Sequence, residues 1–192
     1  MSFSKLVFAP FSYIGWGALA QLIPEVKKIG PQKILIVTDP MLEKIGLVQQ
    51  VKAPLVEAGY NVEVYTGVVP EPPVAVGEAL VAYTREHGFD LLIGVGGGSA
   101  LDLTKLAAVL APLEGNVRDY MNLSGNRTPA HRGIPKILIP TTSGTGSEVT
   151  NVTVLSLETA KDVVVHDYML ADVAIVDPQL TLSLPPRITA AT

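Results

Sequence analysis

Short runs of branched apolar residues alternate along the chain with longer stretches in which apolar positions recur every three or four residues. The short runs occupy residues 33–38, 62–65, 90–95, 136–140 and 172–177, and the longer stretches occupy residues 17–29, 47–58, 74–87 and 99–110. The first pattern is typical of strands buried on both faces, and the second is typical of helices. Because the two alternate, the sequence predicts an α/β fold with a mainly parallel sheet flanked by helices on both faces.

Residues 152–165 break this alternation. Residues 152–157 and 162–165 each favour a strand, and the short segment Glu158-Thr-Ala-Lys161 joins them. Two strands this close together predict an added β-hairpin, which we expect to lie against the sheet.

The composition is that of an apolar protein without a membrane span. With 192 residues, the chain is long enough for one α/β domain to bury a core without disulfides. A hydrophobic content of 48% and a mean hydropathy of +0.37 indicate either a large core or an apolar surface that a partner covers, and we expect a homo-oligomer. Because no apolar stretch approaches the roughly 18–20 residues of a span and residues 1–5 lack a signal pattern, we expect a cytoplasmic location and no membrane partner.

Several functional classes lack support in the sequence. A net charge of -4 without a basic cluster argues against nucleic acid as a partner, and the absence of cysteine excludes disulfides and thiolate chemistry. His87, His131 and His166 are scattered without metal-ligand spacing, so no metal site is predicted within the chain. Because Ser143 and Ser147 lie outside any nucleophile-elbow motif and lack a His and an acid placed for a triad, nucleophilic hydrolysis is unsupported. The charge favours a small ligand over nucleic acid.

Three polar segments follow predicted strands and point to a ligand site. Asp39 follows the strand at 33–38, a glycine segment follows the strand at 90–95, and a hydroxyl-rich run follows the strand at 136–140. The two longer segments are Gly96-Gly97-Gly98-Ser99 and Thr141-Thr142-Ser143-Gly144-Thr145-Gly146-Ser147. Because parallel strands bring their carboxyl ends to one edge, where open sheets bind ligands, we expect the three segments to meet there.

The glycine segment has the physical properties of a phosphate cradle. It matches neither the G-x-G-x-x-G fingerprint nor a P-loop, since Ser99 takes the last glycine position and no Gly-Lys-Ser/Thr follows. Glycines nevertheless let backbone N–H groups approach an anion, and the next helix, with Ser99 as its predicted N-cap, directs its positive end there. The alternative is a tight strand-to-helix turn.

Other polar residues allow two interpretations each. The hydroxyl-rich run suits a phosphate or a ribose, or it is an ordinary polar loop. Asp39 can accept hydrogen bonds from two ribose hydroxyls, or it starts a turn before Pro40. Asp102 forms an S-x-x-D capping pattern with Ser99, the alternative being a place near the ligand, while Lys105 and Lys161 are predicted to be solvated surface charges.

Three segments together resemble the iron-containing (group III) alcohol dehydrogenases. They are Gly96-Gly-Gly-Ser-Ala-Leu-Asp102-Leu-Thr-Lys105, Pro140-Thr-Thr-Ser-Gly-Thr-Gly-Ser-Glu148-Val-Thr150 and Ala174-Ile-Val-Asp-Pro178-Gln-Leu-Thr181. Supporting segments at 37–39, 46–47 and 69–72 extend the resemblance over essentially the whole chain. Glu71 stands where the family often has Asn, and Ala171 stands where proline is usual.

The resemblance implies a two-domain enzyme. Residues 1–184 would form a Rossmann-like NAD-binding domain, and residues 185–192 would be the truncated start of an all-helical domain that holds Fe(II) or Zn(II) beyond Thr192. It also implies roles in NAD binding. Asp39 would hold the adenine ribose, Gly97, Gly98 and Ser99 the pyrophosphate, Thr141, Thr142 and Thr145 the phosphates and nicotinamide side, Asp102 the nicotinamide neighbourhood, Lys161 a ribose hydroxyl, and Leu180 the adenine side.

The implied reaction is reversible hydride transfer between the nicotinamide and the carbinol carbon of a small alcohol, with the metal as Lewis acid. We expect this chain to bind NAD(H) without turnover. A dehydroquinate-synthase-like or glycerol-phosphate-dehydrogenase-like relative is an alternative, because both share the glycine segment and the two-domain plan. A non-enzymatic nucleotide-binding module is a further alternative.

Overall fold

A six-stranded parallel sheet forms the centre of the computed structural model, which describes residues 7–191. Its strands are β1 (Phe11–Ile14), β2 (Lys33–Val37), β3 (Asn61–Tyr65), β4 (Leu91–Gly96), β5 (Lys136–Pro140) and β8 (Val173–Val176), in the order β1-β8-β5-β4-β2-β3. An antiparallel hairpin of β6 (Val152–Ser156) and β7 (Lys161–Val165) stands apart from this sheet. The predicted α/β class, parallel sheet and added hairpin are confirmed.

Helices cover both faces of the sheet. They are α1 (Leu22–Ile29), α2 (Pro40–Lys44), α3 (Leu47–Glu57), α4 (Val74–His87) and α5 (Gly98–Leu110), and a further short helix, α6 (Pro186–Ala191), follows β8. Ile34 and Ile36 of β2 face α1, α2 and α3, whereas Leu35 and Val37 face α4 and α5. Because successive strand residues point to opposite faces, one apolar run supplies two core layers.

The order of the strands places a crevice beside β2 and β4. These two strands are neighbours, but the chain leaves β2 for β3 on one side and leaves β4 for β5 on the other. The helices that follow them, α2 and α5, pack on opposite faces. Such a switch point leaves the carboxyl ends of the two strands uncovered, which is where open parallel sheets bind ligands.

The predicted elements match the structure with some corrections. The stretch 17–29 is α-helical only from Leu22, after a short 3₁₀ helix at Ala18–Gln21. The hairpin packs on α4 and α5 instead of the sheet, and Thr153 Oγ1 donates to the backbone carbonyl of Asp102. Strand β1 and helix α2 were not predicted from the pattern, because β1 is largely exposed and α2 is a single short turn-like helix.

Candidate functional site at the carboxyl edge of the sheet

The polar segments after β2, β4 and β5 meet at the carboxyl edge, as predicted. A Cβ added to Gly97 would lie 3.4 Å from Oγ1 of Thr142, and one added to Gly98 would lie 3.1 Å from Cγ2 of Thr145. One added to Gly96 would lie 3.9 Å from Oδ2 of Asp39. The glycine segment therefore stands between the Asp39 carboxylate and the threonine loop.

Gly96 is the glycine that this turn requires. Its φ is +152°, a conformation that L side chains rarely adopt, and an added Cβ would meet the Cβ of Ala100 at 2.7 Å. The chain can pass from β4 into α5 this tightly only because position 96 has no side chain.

Helix α5 begins one residue earlier than the sequence predicted. Gly97 is its N-cap, and no side chain of residues 7–191 caps this end, so the prediction of Ser99 as N-cap is wrong. The S-x-x-D capping role predicted for Asp102 is also wrong. The first-turn N–H groups of a helix have no partners within the helix, and here they lie at a glycine turn without competing side-chain caps. This end of α5 therefore presents donors and a positive dipole to an anion.

The threonine loop supplies hydroxyls next to these glycines. Thr141 is buried, and its N–H donates to the carbonyl of Gly96 at 2.9 Å, which joins the two segments. Oγ1 of Thr142 is buried without a hydrogen-bond partner among residues 7–191. Thr145 is exposed, and its Oγ1 accepts from the N–H of Ser147. A buried hydroxyl without a partner beside a glycine turn suits a ligand that brings its own hydrogen-bonding atoms.

Asp39 has a structural role, which is one of the two roles that the sequence allowed for it. It is the N-cap of α2, and Oδ1 accepts from the N–H groups of Met41 and Leu42 at 2.9 and 3.0 Å. Oδ2 is the oxygen on the side of Gly96. The cap therefore holds the carboxylate in place without using both of its oxygens.

Asp102 and Lys105 form a buried ion pair behind the glycine segment. Nζ of Lys105 lies 2.8 Å from Oδ1 of Asp102, and Oδ2 of Asp102 accepts from the N–H of Val154 at 3.0 Å. Lys105 has no exposed surface, so its prediction as a solvated charge is wrong. The signal for its burial was in the sequence, since 98–110 is apolar around most of the helix and leaves little surface for a charge.

The two remaining predicted residues lie outside this cluster of contacts. Lys161, at the start of β7, is exposed as predicted and pairs with Oε1 of Glu71 at 2.8 Å. Leu180 lies in a short 3₁₀ helix after β8 and is buried in the core layer shared with α1–α3.

Metal ligands are not gathered anywhere in the described part of the chain. Within residues 7–191 no group of three or more His, Asp or Glu side chains could hold a metal ion. His87 stacks on Tyr83, and Nδ1 of His166 accepts from the N–H of Tyr168. Across the same residues, no helix has the length and apolar character needed to cross a membrane.

Comparison with known proteins adds independent findings. The family model described as iron-containing alcohol dehydrogenase matches residues 9–178. Long-chain-alcohol dehydrogenase 1 of Geobacillus thermodenitrificans is 69% identical over 192 residues, which cover 100% of this chain and 49% of that protein. Sulfoacetaldehyde reductase of Bilophila wadsworthia is 42% identical over 93% of this chain and 46% of its own length.

Solved structures give the same result for the fold. The crystal structure of sulfoacetaldehyde reductase from Bifidobacterium kashiwanohense in complex with NAD+ has a TM-score of 0.89 at 31% identity, over 100% of this chain and 50% of that one. A 1,3-propanediol oxidoreductase has a TM-score of 0.90 at 32% identity, with the same coverage. The chain therefore spans about half the length of the relatives it matches.

Proposed function

Because this chain belongs to the iron-containing alcohol dehydrogenase family, we propose that it is the NAD(H)-binding part of a metal-dependent alcohol dehydrogenase. The observation that carries the proposal is the carboxyl-edge cluster. Gly97 and Gly98 open α5 directly beside the hydroxyls of Thr142 and Thr145, and Asp39 stands on their other side. A donor-rich turn between a carboxylate and hydroxyls matches the phosphate and ribose groups of a dinucleotide.

The residues present fit this cofactor. The glycines leave a cradle that side chains would fill, and Oγ1 of Thr142, which has no hydrogen-bond partner among residues 7–191, supplies a polar atom beside it. We assign the pyrophosphate to the turn that contains Gly97, Gly98 and Ser99, and the adenine ribose to Oδ2 of Asp39. The phosphates and nicotinamide side belong to Thr141, Thr142 and Thr145.

More peripheral assignments complete the proposed site. Lys161 would contact a ribose hydroxyl, Leu180 would lie beneath the adenine side, and Asp102 would line the nicotinamide neighbourhood. When bound, the nicotinamide supplies the hydride donor or acceptor for the alcohol–aldehyde pair. The residues of this chain bind and orient it, which is an entropic contribution to the reaction.

Activation of the alcohol is assigned to residues outside this chain. The side chains described here do not fit an Fe(II) or Zn(II) ion, and we derive no metal step from them. We propose that the corresponding ligands belong to the half of the longer relatives that this chain does not match. A cytoplasmic location and homo-oligomeric assembly remain predictions.

The proposal is tested by measuring binding and turnover on the same sample. NADH fluorescence titration and calorimetry of the folded 192-residue chain should show saturable binding. Assays with short and long primary alcohols, NAD and added Fe(II) or Zn(II) should show no turnover. Failure of a folded sample to bind NADH would refute the cofactor assignment, whereas metal-dependent turnover would refute the division between the two halves.

A further inference from the structure

The ammonium group of Lys105 is buried among oxygen atoms from distant parts of the chain. Its side chain is 0% exposed, and Nζ lies 2.8 Å from Oδ1 of Asp102. Nζ also donates to the carbonyls of Ser147, at 3.0 Å, and Val152. The carbonyl and hydroxyl of Thr150 lie further away, at 3.5 and 3.4 Å. The ammonium therefore forms an ion pair with one carboxylate and donates hydrogen bonds to two loop carbonyls.

These contacts hold the loop after β5 against α5. Burial lowers the pKa of Lys105, while the carboxylate of Asp102 opposes this shift and favours the charged form. A buried charge is tolerated only when it is paired and hydrogen-bonded. Any movement of the two carbonyls away from α5 would leave buried N–H donors of the ammonium without acceptors, so Lys105 restricts segment 147–152.

Ser147 connects the buried ammonium of Lys105 to the glycine turn of the proposed cofactor site. Its carbonyl accepts from Lys105, and its Oγ lies 3.2 Å from the position of a Cβ on Gly98. Its N–H donates to Oγ1 of Thr145 at 3.3 Å. One residue therefore contacts the buried ammonium, the glycine turn and a hydroxyl of the threonine loop.

We propose that Lys105 is a positioning residue for the dinucleotide, acting through the loop and not by contact with the cofactor. Its ammonium fixes Ser147 and the backbone that follows, which keeps Thr145 beside Gly98. The inference rests on the proposed function, because it takes this cluster to be the cofactor site. It adds a determinant of cofactor affinity that lies behind the binding surface.

The matched comparison is Lys136, the first residue of β5. Its side chain is also 0% exposed, but it lies at the amino edge of the sheet with Asp172, away from the cradle. Lys105→Met and Lys136→Met each remove one buried ammonium and keep an apolar chain of similar length. Each variant is studied at a temperature where circular dichroism shows it to be folded.

NADH affinity and local hydrogen exchange are then measured. For Lys105→Met we expect the Kd for NADH to rise at least about tenfold and amides of segment 143–152 to exchange faster, with exchange in β2 and β4 unchanged. Lys136→Met should change the Kd by less than about twofold. If Lys105→Met does not fold, Lys105→Gln, which keeps a donor for one carbonyl, is measured with the same expectations.

Two failures have distinct signatures. Folded Lys105→Met that binds NADH within about twofold of the unaltered chain, with normal exchange in segment 143–152, overturns the positioning role. If the unaltered chain itself does not bind NADH, the proposed function fails. In that case faster exchange confined to segment 143–152 in Lys105→Met would still show that Lys105 holds this loop against α5.

Discussion

Asp39 and Gly96 face each other at the ends of neighbouring parallel strands, with Oδ2 of Asp39 lying 3.9 Å from the position of a Cβ on Gly96. Oδ1 of the same carboxylate caps helix α2. The two oxygens thus have separate surroundings, one structural and one open to the proposed ribose. The first prediction follows from this division.

Asp39→Asn should reduce the preference for NADH over NADPH by at least about tenfold, because a 2'-phosphate carries nearly two negative charges that a carboxylate repels. Asn can still cap α2, so stability should change little. The measurement is the ratio of the two dissociation constants.

The matched control for Asp39→Asn is Asp90→Asn. Asp90 also accepts from two backbone N–H groups, those of Gln32 and Lys33, but at the opposite edge of the sheet. An unchanged ratio in Asp39→Asn, or an equal change in Asp90→Asn, would contradict the ribose assignment.

Thr142→Val should weaken NADH binding about fivefold or more, equivalent to about 1 kcal/mol for one hydrogen bond. Its free energy of unfolding should stay the same or rise, since Oγ1 of Thr142 has no partner among the described residues. Thr84→Val is the control, because Thr84 in α4 has a buried Oγ1 that likewise lacks a partner there. Equal affinities in the two variants would remove Thr142 from the site.

Lys136 should make the protein more stable as the pH rises above about 8. Burial lowers its pKa from 10.5 to about 8, with Asp172 opposing the shift. Between these values the unfolded chain binds more protons than the folded one, so stability rises with pH by an amount on the order of 3 kcal/mol in total. Below pH 8 this contribution is constant.

Chemical denaturation from pH 7 to 9.5 checks this prediction. The rise should be smaller in Lys136→Met than in the unaltered chain. Lys105, whose pKa burial also lowers, contributes to both curves. Parallel curves for the two proteins would mean that Lys136 does not titrate in this range.

Glu71→Asn should tighten NADH binding by about threefold, because it frees an exposed ammonium proposed to contact a ribose hydroxyl. Lys161 now pairs with Oε1 of Glu71 at 2.8 Å, and this hydrogen bond lowers the pKa of the Glu71 carboxyl. The φ of Glu71 is +48°, a left-handed conformation that Asn adopts more readily.

Two further variants test whether the Glu71→Asn result reflects a contact between Lys161 and the cofactor. Lys161→Met should weaken NADH binding, which fluorescence titration measures. Glu63→Gln, which breaks the similar Lys33–Glu63 pair at 2.9 Å, should leave the Kd unchanged. If neither Glu71→Asn nor Lys161→Met alters the Kd, Lys161 is not a ribose contact.

Much of the architecture could be predicted from local pattern. The stretch 74–87 coincides with α4, and the strand runs match β2 to β5 and β8 within about one residue, because periodicity reflects which side chains face the core. The alternation then required a parallel sheet, and a parallel sheet has its strand ends on one edge. The meeting of Asp39, Gly96 and Thr142 was therefore predictable before any distance was known.

Other features depended on contacts between distant segments. The sequence marked Lys105 only as a charge in an apolar helix, whereas its burial depends on carbonyls of Ser147 and Val152 that the fold brings to it. The hairpin was predicted, but its position on α4 and α5 was not, since the alternation of a strand does not specify the surface that covers it.

The sequence by itself determined the α/β class, the parallel sheet and the edge that holds the polar segments, because these follow from spacing within short windows. Only the tertiary structure decided that α5 starts at Gly98, with Gly97 rather than Ser99 as its N-cap, and that Oδ1 of Asp39 is used as a cap. It alone decided that Lys105 is an internal ion-pair partner. The loop carbonyls to which its ammonium donates are remote in sequence, so no local pattern encodes these contacts.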